Sequence, residues 1–252
     1  MLVRFEPRRA FIFLVIAGIA GGLLFLPAVS LIGSLLMPTD PPPAAAHVPQ
    51  LMGDALWAKT LGGRSNELQP INPFTIGRMV SCHVLAERYE PEQRDAQHDE
   101  CFKLIPAVQG VAYVSSLHMR TQGVWQDPRV PFVQIAEMTK LSSTWTRAEL
   151  IDALAERGEF ILGLQGVYQA SHAFFNRPAA ELSLPQAALV AGLLGQRRLD
   201  PWCAPEAAAA MRRRVLERMR DNGVIDDAAM QSANVAELGL ADPPPAHQPC
   251  ER

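Results

Sequence analysis

Residues 183–193 read SLPQAALVAGL. Ser183 followed three places on by Gln186 is a capping box, the side-chain and backbone exchange that starts a helix. The run behind it is apolar on every side of a 3.6-residue period, so the helix it predicts is buried all round. Upstream, Thr146 with Glu149 makes a second box, and Leu150, Leu154 and Phe160 continue the apolar face behind it. Downstream, Pro205 suits the first turn of a helix ending near Asn222-Gly223. Asp226 caps a last helix through Met230 to Leu238. Strand signals are few, and the fold class expected is mainly α.

The residues before 146 give weaker signals. Leu51, Leu56 and Trp57 start a short helical pattern that breaks at Gly62-Gly63 and again at Pro70 and Pro73. Ile76, Met79, Val80 and Leu85 recur at helical spacing. The charged stretch 90–100 reads as an exposed loop. Residues 104–119 fit a buried helix, although Val111, Tyr113 and Val114 also suit a strand. The turn-rich stretch 122–131 reads as a connection. Phe132, Ile135, Met138 and Leu141 then form another helical stripe. Trp57, Trp125, Trp145 and Trp202 are expected as packing anchors, and His83, His118 and His172 as ordinary polar residues.

The chain has 252 residues and a formal net charge of -3, which argues against a strongly basic nucleic-acid binder. Mean hydropathy is +0.04, raised by residues 10–37, which contain no charge. That run exceeds the roughly 20 residues needed to span a bilayer and the roughly 7–15 of a cleaved signal peptide's apolar region. It is expected to be one uncleaved transmembrane helix. Arg4, Arg8 and Arg9 put residues 1–9 in the cytoplasm and the rest across the inner membrane, in the periplasm. Residues 38–49 (PTDPPPAAAHVP) read as an extended Pro/Ala-rich stalk, 51–241 as the folded domain, and 242–252 as a Pro-rich tail. Cys82, Cys101, Cys203 and Cys250 are even in number, contain no CxxC pair and suit an oxidising compartment. Of three pairings available, chain order favours Cys82–Cys101 with Cys203–Cys250.

Residues 146–219 resemble the C-terminal lobe of the family 51 glycosyltransferases, the peptidoglycan polymerase module of bifunctional penicillin-binding proteins and monofunctional transglycosylases. The family pattern K-x-x-I-L-E-x-Y-L-N appears as Arg147 through Glu156, with Asp152 at its Glu and Glu156 at its closing Asn. R-I-Y-F-G-x-G-x-x-G appears as Arg157 through Gly166, and A-A-x-x-Y-F-G-K as Ala170 through Arg177. Glu181 through Leu189 is similar to E-L-T-L-A-E-A-A-L. Asp200-Pro201 with Pro205-Glu206-Ala207 is similar to N-P…P-E-A, and Arg212 falls on R-R-x-x-V-L. The resemblance covers about 75 residues. It implies a lysozyme-like transglycosylase-type domain and puts Arg147, Asp152, Glu156, Arg157 and Arg212 at substrate-binding positions. Residues 197–220 carry seven Arg and no Lys; the resemblance would place them near pyrophosphate or lipid headgroups, and a solvated basic face would serve equally.

The N-terminal lobe departs from the family. The reaction needs a carboxylate to deprotonate the attacking hydroxyl, and cationic groups or a metal for the departing pyrophosphate. E-D-x-x-F-x-x-H-x-G, G-x-S-T-x-T-Q-Q and R-K-x-x-E are all missing; without a gap Val130-Pro131 fall on the Arg-Lys and Gln134 on the Glu of the last, with a gap Val133 through Met138 come near the Q-Q-L region, and neither restores the catalytic group. Glu100 and Glu137 are the candidate replacements. No cofactor is expected, a divalent metal entering only if the domain polymerises. Three functions follow from the resemblance: a transglycosylase-like protein that has lost catalysis and binds lipid-linked precursor, nascent glycan or a cell-wall synthase; an active polymerase with a relocated carboxylate; or an assembly protein with a filled cleft.

Overall fold

A computed structural model describes residues 31, 35, 39–65, 67–90, 93, 97, 100–126, 130–244, 247 and 250. Among them the elements are α1 (Gln50–Lys59), α2 (Pro73–Ala86), α3 (Val108–Thr121), α4 (Val130–Thr144), α5 (Arg147–Arg157), α6 (Gly166–Phe175), α7 (Leu184–Leu193), α8 (Pro205–Asp221) and α9 (Asp227–Val235). Short 3-10 turns lie at Val124–Gln126, Ile161–Gly163 and Ala179–Glu181. The described residues form no strand beyond an isolated antiparallel bridge between Glu159 and Gln165. The mainly α expectation holds. No helix among them is long and apolar enough to cross a membrane. The expected membrane span 10–37 lies outside the described residues, apart from Leu31 and Leu35.

Helix α7 is the centre. Its residues Pro185 through Leu193 are all buried, and it packs against α8, α1 and α6. Gln186 accepts from the Ser183 backbone N–H at 3.0 Å. Gly192 is where α8 crosses: a Cβ there would lie 3.1 Å from the Met211 backbone. Trp57, Phe160, Phe174, Leu154 and Leu189 fill the core around it, none more than 1% exposed. At about 25 cal/mol per Å² of apolar area removed from water, such side chains dominate the stability of the fold.

Helix α5 starts at the expected box: Thr146 Oγ1 accepts from Glu149 N–H at 3.2 Å and Glu149 Oε2 accepts from Thr146 N–H at 2.7 Å. The loop after it turns back sharply. Gly166 opens α6 at φ +78, and a Cβ there would sit 2.6 Å from the Glu156 carbonyl. Both the backbone angle and the contact exclude a side chain.

Four expectations need correction. Residues 104–119 do not begin as one element: Leu104 through Ala107 form a turn, Ala107 has φ 62, and the helix starts at Val108. The strand option is lost because Val111, Val114 and Leu117 bury one helical face. Gln93, Gln97 and Glu100, which lie in the stretch read as a loop, have helical backbone. The last helix stops at Val235 and not at Leu238, because Arg212 takes its terminal carbonyls, as described below.

Candidate functional site

Helix α5 lies between two cavities. The first, about 400 Å³, is lined by His47, Gln50, Asp54, Arg147, Ile151 and Asp152 among others. The second, about 360 Å³, is lined by residues including Pro42, His118, Arg120, Arg157, Glu159 and Gln165. Both fall within the usual size of small-ligand pockets. Four of the five expected substrate-binding residues, Arg147, Asp152, Glu156 and Arg157, are thus gathered along one helix.

The proline-rich segment 40–48 runs across these residues. Asp152 Oδ2 lies 2.5 Å from His47 Nδ1, and Oδ1 accepts from Val48 N–H at 2.9 Å. Glu156 Oε2 accepts from Ala45 N–H at 2.5 Å. Arg157 donates to the carbonyls of Pro42 and Pro43. Tyr168 donates to the His47 carbonyl at 3.3 Å, and Lys140 pairs with Asp40 at 2.5 Å. Prolines have no N–H, so their carbonyls need outside donors, and Arg157 supplies one. Asp152 is buried while His47 is exposed, so α5 provides the fixed half of each pair. Burial, then the charges of Asp152 and Glu156, push the Tyr168 hydroxyl above its ordinary value of 10.0.

Arg147 is held differently. Its Nη2 pairs with Asp54 at 2.6 Å and its guanidinium stacks 4.9 Å from the Trp57 ring. Arg212 stands apart from the group. It is buried on α8 and donates to the carbonyls of Asn234 at 2.5 Å and Ala236 at 3.0 Å, closing the C-terminus of α9. Burial first, then Arg213, lowers its proton affinity.

The two carboxylate candidates have different surroundings. Glu100 is exposed and pairs with Lys103 one turn on, next to the Cys82–Cys101 disulfide. A third cavity, about 620 Å³, is lined by Gly77, Arg78, Leu85, Tyr89, Cys101 and Leu104 among others, without Glu100. Glu137 is buried between α3 and α4. Ser115 Oγ donates to its Oε2 at 2.6 Å and His118 Nδ1 to its Oε1. His118 is therefore a buried partner of a carboxylate. Its Nε2 is also buried and has no hydrogen-bond partner among the described residues. Gln134, which the ungapped alignment sets on the family's Glu, donates its amide to the Ala112 carbonyl at 3.4 Å.

Near the second cavity, Arg120 pairs with Glu159 at 2.9 Å, and the Glu159 N–H donates to the Tyr113 hydroxyl at 3.0 Å. Burial pushes Tyr113 above its ordinary 10.0. Sequence reasoning missed Asp54, His47, Ser115 and the pairing of His118 with Glu137. The spacing of Ser115 and His118 on one helix face was readable, but their acceptor sits on another helix.

Both disulfides form as chain order favours, Cys82–Cys101 and Cys203–Cys250. The second pins the tail, which Trp202 Nε1 also holds through the Ala241 carbonyl at 2.8 Å.

The Transglycosylase family model matches residues 124–220. Penicillin-binding protein 1A of Mycolicibacterium smegmatis is 34% identical over 91 residues, which is 36% of this chain and 12% of that protein. Penicillin-binding protein 1A of Mycobacterium tuberculosis is 34% identical over 82 residues, 32% of this chain and 10% of that protein. The aligned segments thus span about a tenth of these relatives, and the match contains α4 to α7 with all but the last residue of α8. Residues 124–220 are therefore a transglycosylase-family segment, homologous to part of penicillin-binding protein 1A.

Proposed function

We propose that this is a membrane-anchored, periplasmic transglycosylase-like protein of cell-wall biogenesis that has lost polymerase catalysis. It binds lipid-linked peptidoglycan precursor or nascent glycan and acts beside the synthases that make the polymer. The observation that carries this reading is the state of the family-matched polar groups. Asp152, Glu156 and Arg157 are engaged by the chain's own segment 42–48, and in the ungapped alignment an amide, Gln134, falls where the family has a carboxylate. A general base must reach the proton it removes. Glu137 has both carboxylate oxygens taken by Ser115 and His118, and Glu100 sits on an exposed face with Lys103. Other polar side chains line the cavities: Gln50 and Arg147 the first, Arg120, Gln122 and Gln165 the second.

The test is to supply purified full-length protein in detergent with lipid-linked disaccharide-peptide. The expected result is saturable binding with no glycan product, and about tenfold weaker binding in Arg147→Ala, equivalent to ~1.4 kcal/mol. Glycan product that disappears in Glu100→Gln or Glu137→Gln would replace this reading with an active polymerase using a relocated base. A folded sample that neither binds nor polymerises would leave the assembly-protein reading.

A further inference from the structure

The tail brings together a second group of chemistry-bearing residues, far in sequence from α5. Asp200 and Cys203 are spaced D-x-x-C, and His247 and Cys250 are spaced H-x-x-C. Each pair has the two-residue separation of a C-x-x-C zinc pair, with Asp200 and His247 each in the place of one Cys. The fold puts the two pairs face to face. His247 Nε2 lies 2.7 Å from Asp200 Oδ2 and 3.8 Å from Cys203 Sγ. One ligand atom each from Asp200, Cys203 and His247 falls within 4.8 Å of the others. Cys250 is joined to Cys203 by the disulfide. Tetrahedral zinc with bonds of about 2.0–2.3 Å has ligand-to-ligand edges of about 3.3–3.8 Å, so small movements of a tail suffice.

The surroundings suit ligands. Asp200 Oδ1 accepts from the backbone N–H groups of Trp202 at 2.9 Å and Cys203 at 3.3 Å, which fixes the carboxylate and leaves Oδ2 toward His247. The edge of Trp202 packs on the His247 ring, centroids 5.2 Å apart, and the His247 side chain is only 7% exposed. Such fixing contacts are what orient ligands in metal sites.

We propose that Asp200, Cys203, His247 and Cys250 form a Zn²⁺ site when the Cys203–Cys250 disulfide is reduced, so that the tail is held by either a disulfide or a metal. A dithiol supplies the two electrons: its two S–H bonds are exchanged for its own S–S bond, and Cys203 and Cys250 each gain a hydrogen. Zn²⁺ then takes both thiolates, and two protons pass to solvent with no further electron transfer. The Nε2 proton of His247, now donated to Asp200, ends on Nδ1, and Nε2 binds the metal. Thiolate, imidazole and carboxylate are each donors that Zn²⁺ accepts.

The experiment titrates Co²⁺, a spectroscopic stand-in for Zn²⁺, into the full-length chain with and without a phosphine reductant under anaerobic conditions. The reduced chain should take one equivalent and show thiolate-to-cobalt charge-transfer and tetrahedral d–d bands; the oxidised chain should show neither. His247→Gln and Asp200→Asn, which keep the disulfide for folding, should each weaken cobalt binding at least about tenfold. Cys203→Ser with Cys250→Ser should abolish the charge-transfer band. Persistence of that band in the double serine variant, unchanged affinity in His247→Gln, or equal binding to the oxidised chain would overturn the proposal. So would a reduced chain that takes up no cobalt, folded or not, because metal binding and tail docking are one step here.

Discussion

Helices α7 and α2 show two ways of holding a helix in one chain. Helix α7 buries every residue from Pro185 to Leu193 and lies inside the family-matched segment. Helix α2 precedes that segment, leaves Val84 62% and Leu85 53% exposed, and is tied by Cys82 to Cys101. The first is held by packing on several sides. The second rests on a covalent cross-link whose benefit comes largely from restricting the unfolded chain.

Four measurements bear on that contrast. Phe174→Ala removes a fully buried ring packed edge-on to Phe160 and Trp202, and should cost about 3–5 kcal/mol in denaturant unfolding. A loss below ~1 kcal/mol would mean that the packed half is not the stable one. Cys82→Ser with Cys101→Ser opens a link between residues 19 apart and should cost about 3 kcal/mol. Hydrogen exchange should locate the loss in α2 and not in α7; uniform loss would break the contrast. Thr146→Ala removes one half of the box that starts α5 and should cost about 1 kcal/mol by thermal melting. A much larger effect would show that the start of α5 also fixes segment 40–48. Lys103→Ala, at an exposed pair beside the disulfide, should change stability by less than about 0.5 kcal/mol. A clear loss would mean that surface charge, and not the cross-link, holds this region.

The C-terminal half was legible because its signals are local. A capping box, a proline in the first turn and an apolar period each act within a few residues, so α5, α7 and α8 start where Thr146, Ser183 and Pro205 place them. The ends were less legible. Helix α9 stops at Val235 because Arg212, from another helix, takes the carbonyls of Asn234 and Ala236. Local pattern carries no record of such a donor. The same holds for Arg212 itself: its motif position suggested substrate, and its neighbours assign it to closing a helix.

The candidate site divides along the same line. Arg147, Asp152, Glu156 and Arg157 were readable as a group because they share one helix. That segment 42–48 would lie on Asp152, Glu156 and Arg157 was not, since those contacts join residues more than a hundred apart in sequence. Sequence alone determined the helical class, the three C-terminal helix starts and the family resemblance of residues 146–219, and it favoured one of three disulfide pairings; all of these rest on short-range chemistry or on pattern. Tertiary structure alone decided that Glu137 is enclosed by Ser115 and His118, that α5 is covered by the chain's own prolines, and that Asp200 meets His247. These depend on which distant segments are brought within 3 Å, and that is set by packing of the whole core, not by any stretch of it.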